Sequence, residues 1–201
     1  MKKLFVFLLG LNLLSGCTAF CLSKATAAPN RDFEERLPNL QAVFLTEESL
    51  EYFNPDAEFT PVDDPMAERF YREVEENLVD DGEKKGYLLL LPMMNIARNG
   101  ASLYTLLSVA TLGISPALGL PITTFTSVTD LELNVLNSKG ELIKKYTSQV
   151  FIQNKVGFYY GGCESAHNCY TKVSWDSYEI ALDNLIKKVY QDRAYLSKKL
   201  N

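Results

Sequence analysis

The sequence predicts an α+β fold: a two-layer sandwich in which two main helices pack on a mostly antiparallel sheet. Apolar and polar residues alternate on both sides of the turn 137–140, as in a β-hairpin. Residues 66–78 and 178–189 repeat apolar residues at helical spacing. The elements follow one another as strand, helix, strand, short helix, hairpin and helix, an order typical of this fold class.

The chain begins its structured part with a predicted strand and helix. Residues 39–46 alternate in polarity and predict the first strand. Asp63 or Asp64 is a suitable N-cap for a helix that has Pro65 in its first turn. Gly82 is suited to the end of that helix.

An apolar run and a long uncharged stretch come next. Residues 86–92 are continuously apolar and predict a buried strand. Residues 99–129 contain no charged residue, but their glycines and prolines disfavour a membrane-spanning helix. We expect a short helix over 102–112 and a packed turn, with the apolar surface in the core. Contact of this surface with a membrane or a partner is the alternative.

The second half predicts a hairpin and a long helix. Residues 127–137 and 141–154 are the predicted strands, and Gly140 can supply a positive φ in the turn. Ser174 is suited to cap the final helix, which we expect to pack across the sheet. Its apolar stripe consists of Tyr178, Ala181, Leu182, Leu185, Ile186 and Val189.

The N-terminus has the features of an export signal. Two lysines precede the apolar run 4–14, which is shorter than the roughly 20 residues of a transmembrane helix. The residues Leu14-Ser15-Gly16-Cys17 resemble the lipobox of bacterial lipoproteins. This resemblance implies a signal peptide of residues 1–16 and acyl chains on Cys17 that hold the protein to a lipid bilayer.

Other processing sites fit less well than Cys17. The A-x-A-like site ending at Ala28 lies far beyond the apolar run, and Phe20 precedes Cys21 where cleavage needs a small residue. The state of Cys21 stays open. Thr18 follows Cys17, and by resemblance to enteric lipoproteins this implies the outer membrane, with the domain in the periplasm or on the cell surface.

The mature chain is predicted to be a tethered acidic domain. Residues 17–38 form the lipidated N-terminus and flexible tether, and residues 39–201 form a single α+β domain. Cleavage removes Lys2 and Lys3 and moves the formal charge from −5 to −7. This acidity argues against nucleic acid as a partner, because such binding depends on clustered lysine and arginine.

Two cysteines are predicted to pair. Cys163 and Cys169 enclose a short loop, and exported chains occupy an oxidising compartment that favours a disulfide. A metal site that uses His167 is the alternative. It is disfavoured because this is the only histidine and zinc normally takes four ligands at recognisable spacing. We predict neither a metal nor a cofactor.

The sequence shows no convincing catalytic set. Pro116 follows Ser115 and departs from the G-x-S-x-G pattern, so a structural turn is expected there. His167 lies between two cysteines in a polar loop, and the paired acidic residues at 47–48, 63–64 and 80–81 suit caps or solvated surface. The aromatic residues Phe158, Tyr159 and Tyr160 either contact a protein partner or cover the end of the core.

The functional hypotheses follow from the lipobox. Residues 87–130 also resemble small uncharacterised envelope lipoproteins of Gram-negative bacteria, a likeness that transfers no catalytic residue. The leading hypothesis is a membrane-anchored lipoprotein with a non-catalytic binding or structural role, whose partner is an envelope protein or a cell-wall component. The alternatives are a cell-wall or lipid hydrolase, and a carrier that holds an acyl chain with residues 99–129.

Overall fold

The computed structural model describes residues 35–45, 53–55, 61–100, 103–157 and 166–200. Within these residues a four-stranded mixed sheet and five helices form an α+β fold, which confirms the predicted class. The strands are β1 (Leu40–Phe44), β2 (Gly86–Gly100), β3 (Thr123–Asn137) and β4 (Leu142–Val156). The helices are α1 (Pro65–Glu73), α2 (Leu103–Ala110), α3 (Ile114–Ala117), α4 (Ala166–Gln191) and α5 (Arg193–Leu200).

The sheet has the strand order β1-β2-β3-β4. β1 runs parallel to β2, with Leu40 opposite Gly86 and Phe44 opposite Leu90. A Cβ on Gly86 would lie 2.1 Å from the Leu136 carbonyl oxygen, so only glycine fits this close approach of β3. Because the opposite end of β2 approaches the start of β3 at Thr124, these two strands are antiparallel.

The chain divides into two compact units. Among the described residues, the larger unit contains 35–45, 53–55, 61–98, 126–153 and 171–200, and the smaller unit contains 99–100, 103–125, 154–157 and 166–170. The assignment of residues 39–201 to a single domain stays a prediction.

The main core of the larger unit lies between the helices and one face of the sheet. Leu88 and Leu90 of β2 point into this core, whereas Leu89 and Leu91 join a smaller cluster on the opposite face. Burial on both faces explains why β2 begins as a continuous apolar run. The helices contribute Phe70, Val74, Leu78, Tyr178, Ala181, Leu182, Leu185, Ile186, Val189 and Leu196 to the main core, which confirms the predicted final stripe.

Helix α1 begins where it was predicted to begin, but it ends before the predicted position. The Asp64 carboxylate accepts hydrogen bonds from the Met66 and Ala67 amides at 2.7 and 3.3 Å, so it caps the helix ahead of Pro65. The expected end at Gly82 is wrong, because a π-helical turn (Val74–Leu78) closes the helix.

A long-range pairing explains this early end and corrects the tether. Val79 is extended and pairs in parallel with Leu37, whose N–H donates to the Leu78 carbonyl at 2.9 Å. Leu37 is also 1% exposed and belongs to the main core. The predicted tether end at residue 38 is therefore too late, since the folded part already includes Leu37.

Strand β2 continues eight residues beyond the predicted run 86–92. The predicted run ended at Pro92, a residue that cannot donate to a sheet ladder. The last residue of β2 that pairs with β1 is Leu90, opposite Phe44. Pro92 thus lies beyond the end of β1. This side of β2 is an edge there, and an edge tolerates a residue without an N–H.

The hairpin is confirmed, and the start of the last helix is corrected. The Asn137 N–H donates to the Glu141 carbonyl at 3.0 Å, and Gly140 adopts a φ of 81° in the connecting turn. Helix α4 begins at Ala166 and not at Ser174. Ser174 lies within the helix, where its hydroxyl donates to the Asn95 side-chain oxygen at 3.0 Å instead of capping.

The short helix predicted over 102–112 is confirmed as α2, but its expected burial is wrong. No residue of α2 is buried. Of the uncharged stretch 99–129, the part that begins β3 is buried instead, with Phe125 2% exposed. Leu112 and Gly113 both adopt a left-handed backbone conformation, and they turn the chain from α2 into α3. No helix in the described parts of the chain is long and apolar enough to cross a membrane.

Candidate binding groove along the first strand

A groove of about 800 Å³ follows strand β1 in the larger unit. Its lining along β1 is largely aliphatic, and its charged residues come from the N-cap of α1, from the π-helical turn and from the approach to β2. We call these charged residues the rim of the groove. The lining comprises Asn39 to Leu45, Pro61, Val62, Asp64, Tyr71, Glu75, Val79, Asp80, Asp81 and Lys84. The groove therefore accompanies the whole length of β1.

Strand β1 occupies one edge of the sheet. The Leu45 N–H donates to the Leu90 carbonyl at 3.0 Å, and the Asn39 carbonyl accepts from Lys85 at 2.8 Å, so odd-numbered residues of this strand face β2. Because backbone groups alternate along a strand, those of Leu40, Ala42 and Phe44 point away from β2. No strand within the described ranges pairs with this outer edge. An edge with these properties is a template for an added strand.

The rim of the groove is acidic. Asp64, Glu75, Asp80 and Asp81 contribute four carboxylates, against the single ammonium of Lys84. This ammonium is already engaged, since it donates to the Tyr87 hydroxyl at 2.9 Å and lies 4.5 Å from the centre of that ring. The rim thus favours a ligand that carries positive charge.

The other edge of the sheet has the opposite character. Lys144 and Lys145 project from β4, where their ammonium groups pair with Asp192 at 2.5 Å and with Glu132 at 2.6 Å. Lysines on an edge strand are a common protection against pairing with another chain. Of the two edges, β1 is therefore the one whose surroundings suit a cationic strand.

A hydroxyl cluster that the sequence did not reveal lies elsewhere in the larger unit. The Ser177 hydroxyl on α4 is hydrogen-bonded to those of Ser127 at 2.8 Å and Thr129 at 2.7 Å on β3, and donates to the Ser174 carbonyl at 2.8 Å. All three hydroxyl-bearing residues are 0% exposed. Buried and mutually bonded, they fix α4 on the sheet. The only available signal was polar residues at inward positions of β3.

The sequence-predicted site residues are distributed as follows. Cys17, Cys21 and Cys163, together with Phe158, Tyr159 and Tyr160, lie outside the described residues. Cys169 is 0% exposed in α4. Lipidation of Cys17, the Cys163–Cys169 disulfide and the aromatic contact therefore stay predictions.

Ser115 and the backbone of His167 are the parts of the two residues considered for catalysis that the structure describes. Ser115 lies in α3, and its hydroxyl accepts a hydrogen bond from the Thr111 hydroxyl at 3.0 Å, which confirms a structural turn. The backbone of His167 lies in the first turn of α4 and not in the expected loop. Among the described residues no group of three or more histidines, cysteines or carboxylates is placed to hold a metal ion.

Comparison with protein families and with curated proteins found no match. Among solved structures, uncharacterised lipoprotein B from Nitrosomonas europaea is 10% identical with a TM-score of 0.36, and the alignment covers 82% of this chain and 89% of that one. A neuraminyllactose-binding hemagglutinin homolog from Helicobacter pylori is 11% identical with a TM-score of 0.39 and the same coverages. A minor lipoprotein from Acinetobacter baumannii is 9% identical with a TM-score of 0.30, covering 77% and 90%. Likeness at these TM-scores assigns neither a family nor a function to this chain.

Proposed function

We propose that this protein is a lipid-anchored lipoprotein of the bacterial outer membrane whose domain binds an envelope protein without catalysing a reaction. The lipobox-like residues 14–17 and the short apolar run before them support export and attachment through Cys17. The domain then works in the periplasm or on the cell surface, close to its partners.

The groove along β1 carries the binding part of this proposal. Its outer backbone groups belong to Leu40, Ala42 and Phe44, and its rim holds four carboxylates. An extended segment of about five residues, roughly 16 Å long, matches the length of β1. Main-chain hydrogen bonds to the edge supply affinity, and basic side chains at the rim supply selectivity. The ligand is thus an extended, positively charged segment of an envelope protein.

The anchor is tested by metabolic labelling with a palmitate analogue. We expect wild-type protein to incorporate the label and Cys17→Ser to lose it, because the thiol that accepts the lipid is gone. Cys21→Ser is the matched control and should keep the label. Retention of the label in Cys17→Ser, or its loss in Cys21→Ser alone, contradicts the assignment of the anchor.

Charge selectivity is tested with two fluorescent peptides of alternating valine with either lysine or glutamate. Fluorescence anisotropy should show binding of the lysine peptide, and Asp80→Lys should weaken it by about tenfold, or roughly 1.4 kcal/mol. Glu68→Lys makes the same charge change on the exposed face of α1, outside the groove lining, and should leave the affinity nearly unchanged. Equal binding of both peptides contradicts recognition by the acidic rim.

A further inference from the structure

The smaller unit presents several exposed aliphatic side chains within one short segment. Within residues 103–120, Leu112 is 92% exposed and Leu118 is 80% exposed. The complete set is Leu103, Leu106, Val109, Leu112, Ile114, Leu118 and Leu120, each at least 43% exposed. We call this set the apolar surface. So many large aliphatic side chains in contact with water within one short segment indicate an interaction site.

The local structure holds these side chains outward. Leu103, Leu106 and Val109 recur every third residue on α2 and therefore lie on one face. Thr105, between them, donates its hydroxyl to the Ile122 carbonyl at 2.9 Å, and Ile122 donates its N–H to the Val156 carbonyl at 2.6 Å. The segment is thus secured through its polar groups while its aliphatic face remains exposed.

Leu112 adds an independent indication of function. Its φ is 50°, in the left-handed region that glycine or asparagine normally occupies after a helix. This backbone conformation is unfavourable for leucine, and the 92% exposed side chain gains almost no packing within the chain in return. A hydrophobic environment outside the protein would supply the missing packing.

The composition of the apolar surface distinguishes a bilayer from a protein partner. Residues 99–129 contain no charged residue, and in the described part of the smaller unit the only charged side chain is Lys155. Residues 103–120 contain no tryptophan or arginine, and their one tyrosine, Tyr104, is half-buried. These three residue types dominate the energetics of protein interfaces. Leucine, isoleucine and valine without a charged rim match the hydrocarbon region of a lipid bilayer.

We propose that residues 103–120 insert shallowly into the bilayer and form a second membrane contact. This inference rests on the proposed function, because lipid on Cys17 keeps the bilayer near. Residues 17–34 of the predicted tether 17–38 would span about 23 Å if they behave as a random chain, which allows the domain to reach the membrane surface. With no basic cluster beside it, the apolar surface binds through burial of aliphatic groups and not through anionic headgroups.

The test places a fluorescent probe on the apolar surface of the full lipidated chain. Leu112→Trp is compared with Leu142→Trp, a matched control at a 58% exposed position on the hairpin, and both retain Trp175 as a common background. The proteins are reconstituted with phosphatidylcholine vesicles whose acyl chains are either brominated or not. Bromine quenches tryptophan only within the hydrocarbon region.

We expect Leu112→Trp to lose most of its added emission with brominated lipid, and Leu142→Trp to lose none. Anionic lipid or high salt should not alter the quenching. Leu118→Trp provides a second probe if the first variant does not fold. Unquenched emission typical of water overturns the proposal, and so does blue-shifted emission without bromine quenching, which would indicate a second copy on the surface.

Flotation of the same samples separates this inference from the proposed anchor. If the chain floats with vesicles but the probe is unquenched, the second contact is wrong while the anchor stands. If the chain does not float stably but the probe is quenched on adding vesicles, the second contact is supported and the anchor is contradicted. If the chain does not float and the probe is not quenched, both the anchor and the second contact are contradicted.

Discussion

The hydroxyl of Tyr178 on α4 donates to the carbonyl oxygen of Met66 in the first turn of α1, at 2.6 Å. The two residues lie 112 positions apart, and Tyr178 is completely buried. Burial raises the pKa of its phenol, which therefore stays protonated and able to donate. This bond joins the start of α1, beside the groove, to the helix that covers the sheet, together with the Arg69–Glu179 ion pair at 3.6 Å.

Removing the Tyr178 hydroxyl should weaken the attachment of α1 to α4. We expect Tyr178→Phe to lower the free energy of unfolding by about 1–2 kcal/mol, because the Met66 carbonyl loses its buried donor. Urea denaturation measures the change. Tyr195→Phe, at a 47% exposed position, is the control and should cost much less. Equal losses in the two variants would show that the bond to Met66 contributes little.

The acid stability of the larger unit should depend on Asp192, between α4 and α5. Its carboxylate accepts hydrogen bonds from the Lys144 ammonium at 2.5 Å and the Tyr146 hydroxyl at 2.9 Å, and these bonds lower its pKa below the ordinary 3.8. The folded state therefore gains stability above pH 3.8, and the gain is lost as pH falls through the lowered pKa.

Thermal unfolding across this acidic range tests the role of Asp192. Asp192→Asn should melt at a lower temperature at neutral pH and show a weaker loss of stability on acidification than wild type. Asp63→Asn removes an exposed carboxylate and serves as the control, with an acid profile like that of wild type. A wild-type acid profile in Asp192→Asn would refute the linkage.

The hydroxyl cluster should behave as a unit. Ser177→Ala leaves the Ser127 and Thr129 hydroxyls without this partner in a dry site, which should cost about 1–3 kcal/mol of unfolding free energy. The double variant with Ser127→Ala should cost less than the sum of the two single variants, because the second change removes a group already deprived of its partner. Additive losses in chemical denaturation would argue against mutual bonding.

The N-cap of α1 offers a local test beside the groove. Asp64→Ala should reduce the unfolding free energy by about 1 kcal/mol, because the Met66 and Ala67 amides lose their acceptor. Asp63→Ala should have little effect, since the structure assigns the cap to Asp64 alone. Denaturation of both variants under the same conditions decides between them, and a larger loss in Asp63→Ala would reverse the assignment.

Features set by neighbouring residues could be predicted from the sequence. The cap at Asp64 with Pro65, the turn at Gly140 and the apolar stripe that begins at Tyr178 each depend on spacing within a few turns of chain. The fold class followed from these elements because their apolar faces must cover one another.

Features set by distant residues could not be predicted. Leu37 joins the core because it pairs with Val79, and Pro92 is tolerated because β1 ends opposite Leu90. The groove depends on which strand takes the sheet edge, which no local pattern encodes. Equally, the apolar composition of residues 103–120 is the same whether their side chains point inward or outward, so the sequence left that direction open.

The central claim is that the outer edge of β1 receives an extended cationic segment, and amide hydrogen exchange at single-residue resolution tests it most directly. On addition of the valine–lysine peptide, the amides of Leu40, Ala42 and Phe44 should exchange more slowly, because their N–H groups point away from β2. The amides of β4 should be unaffected. Unchanged exchange at these three residues with bound peptide, or protection along β4 instead, would contradict the claim.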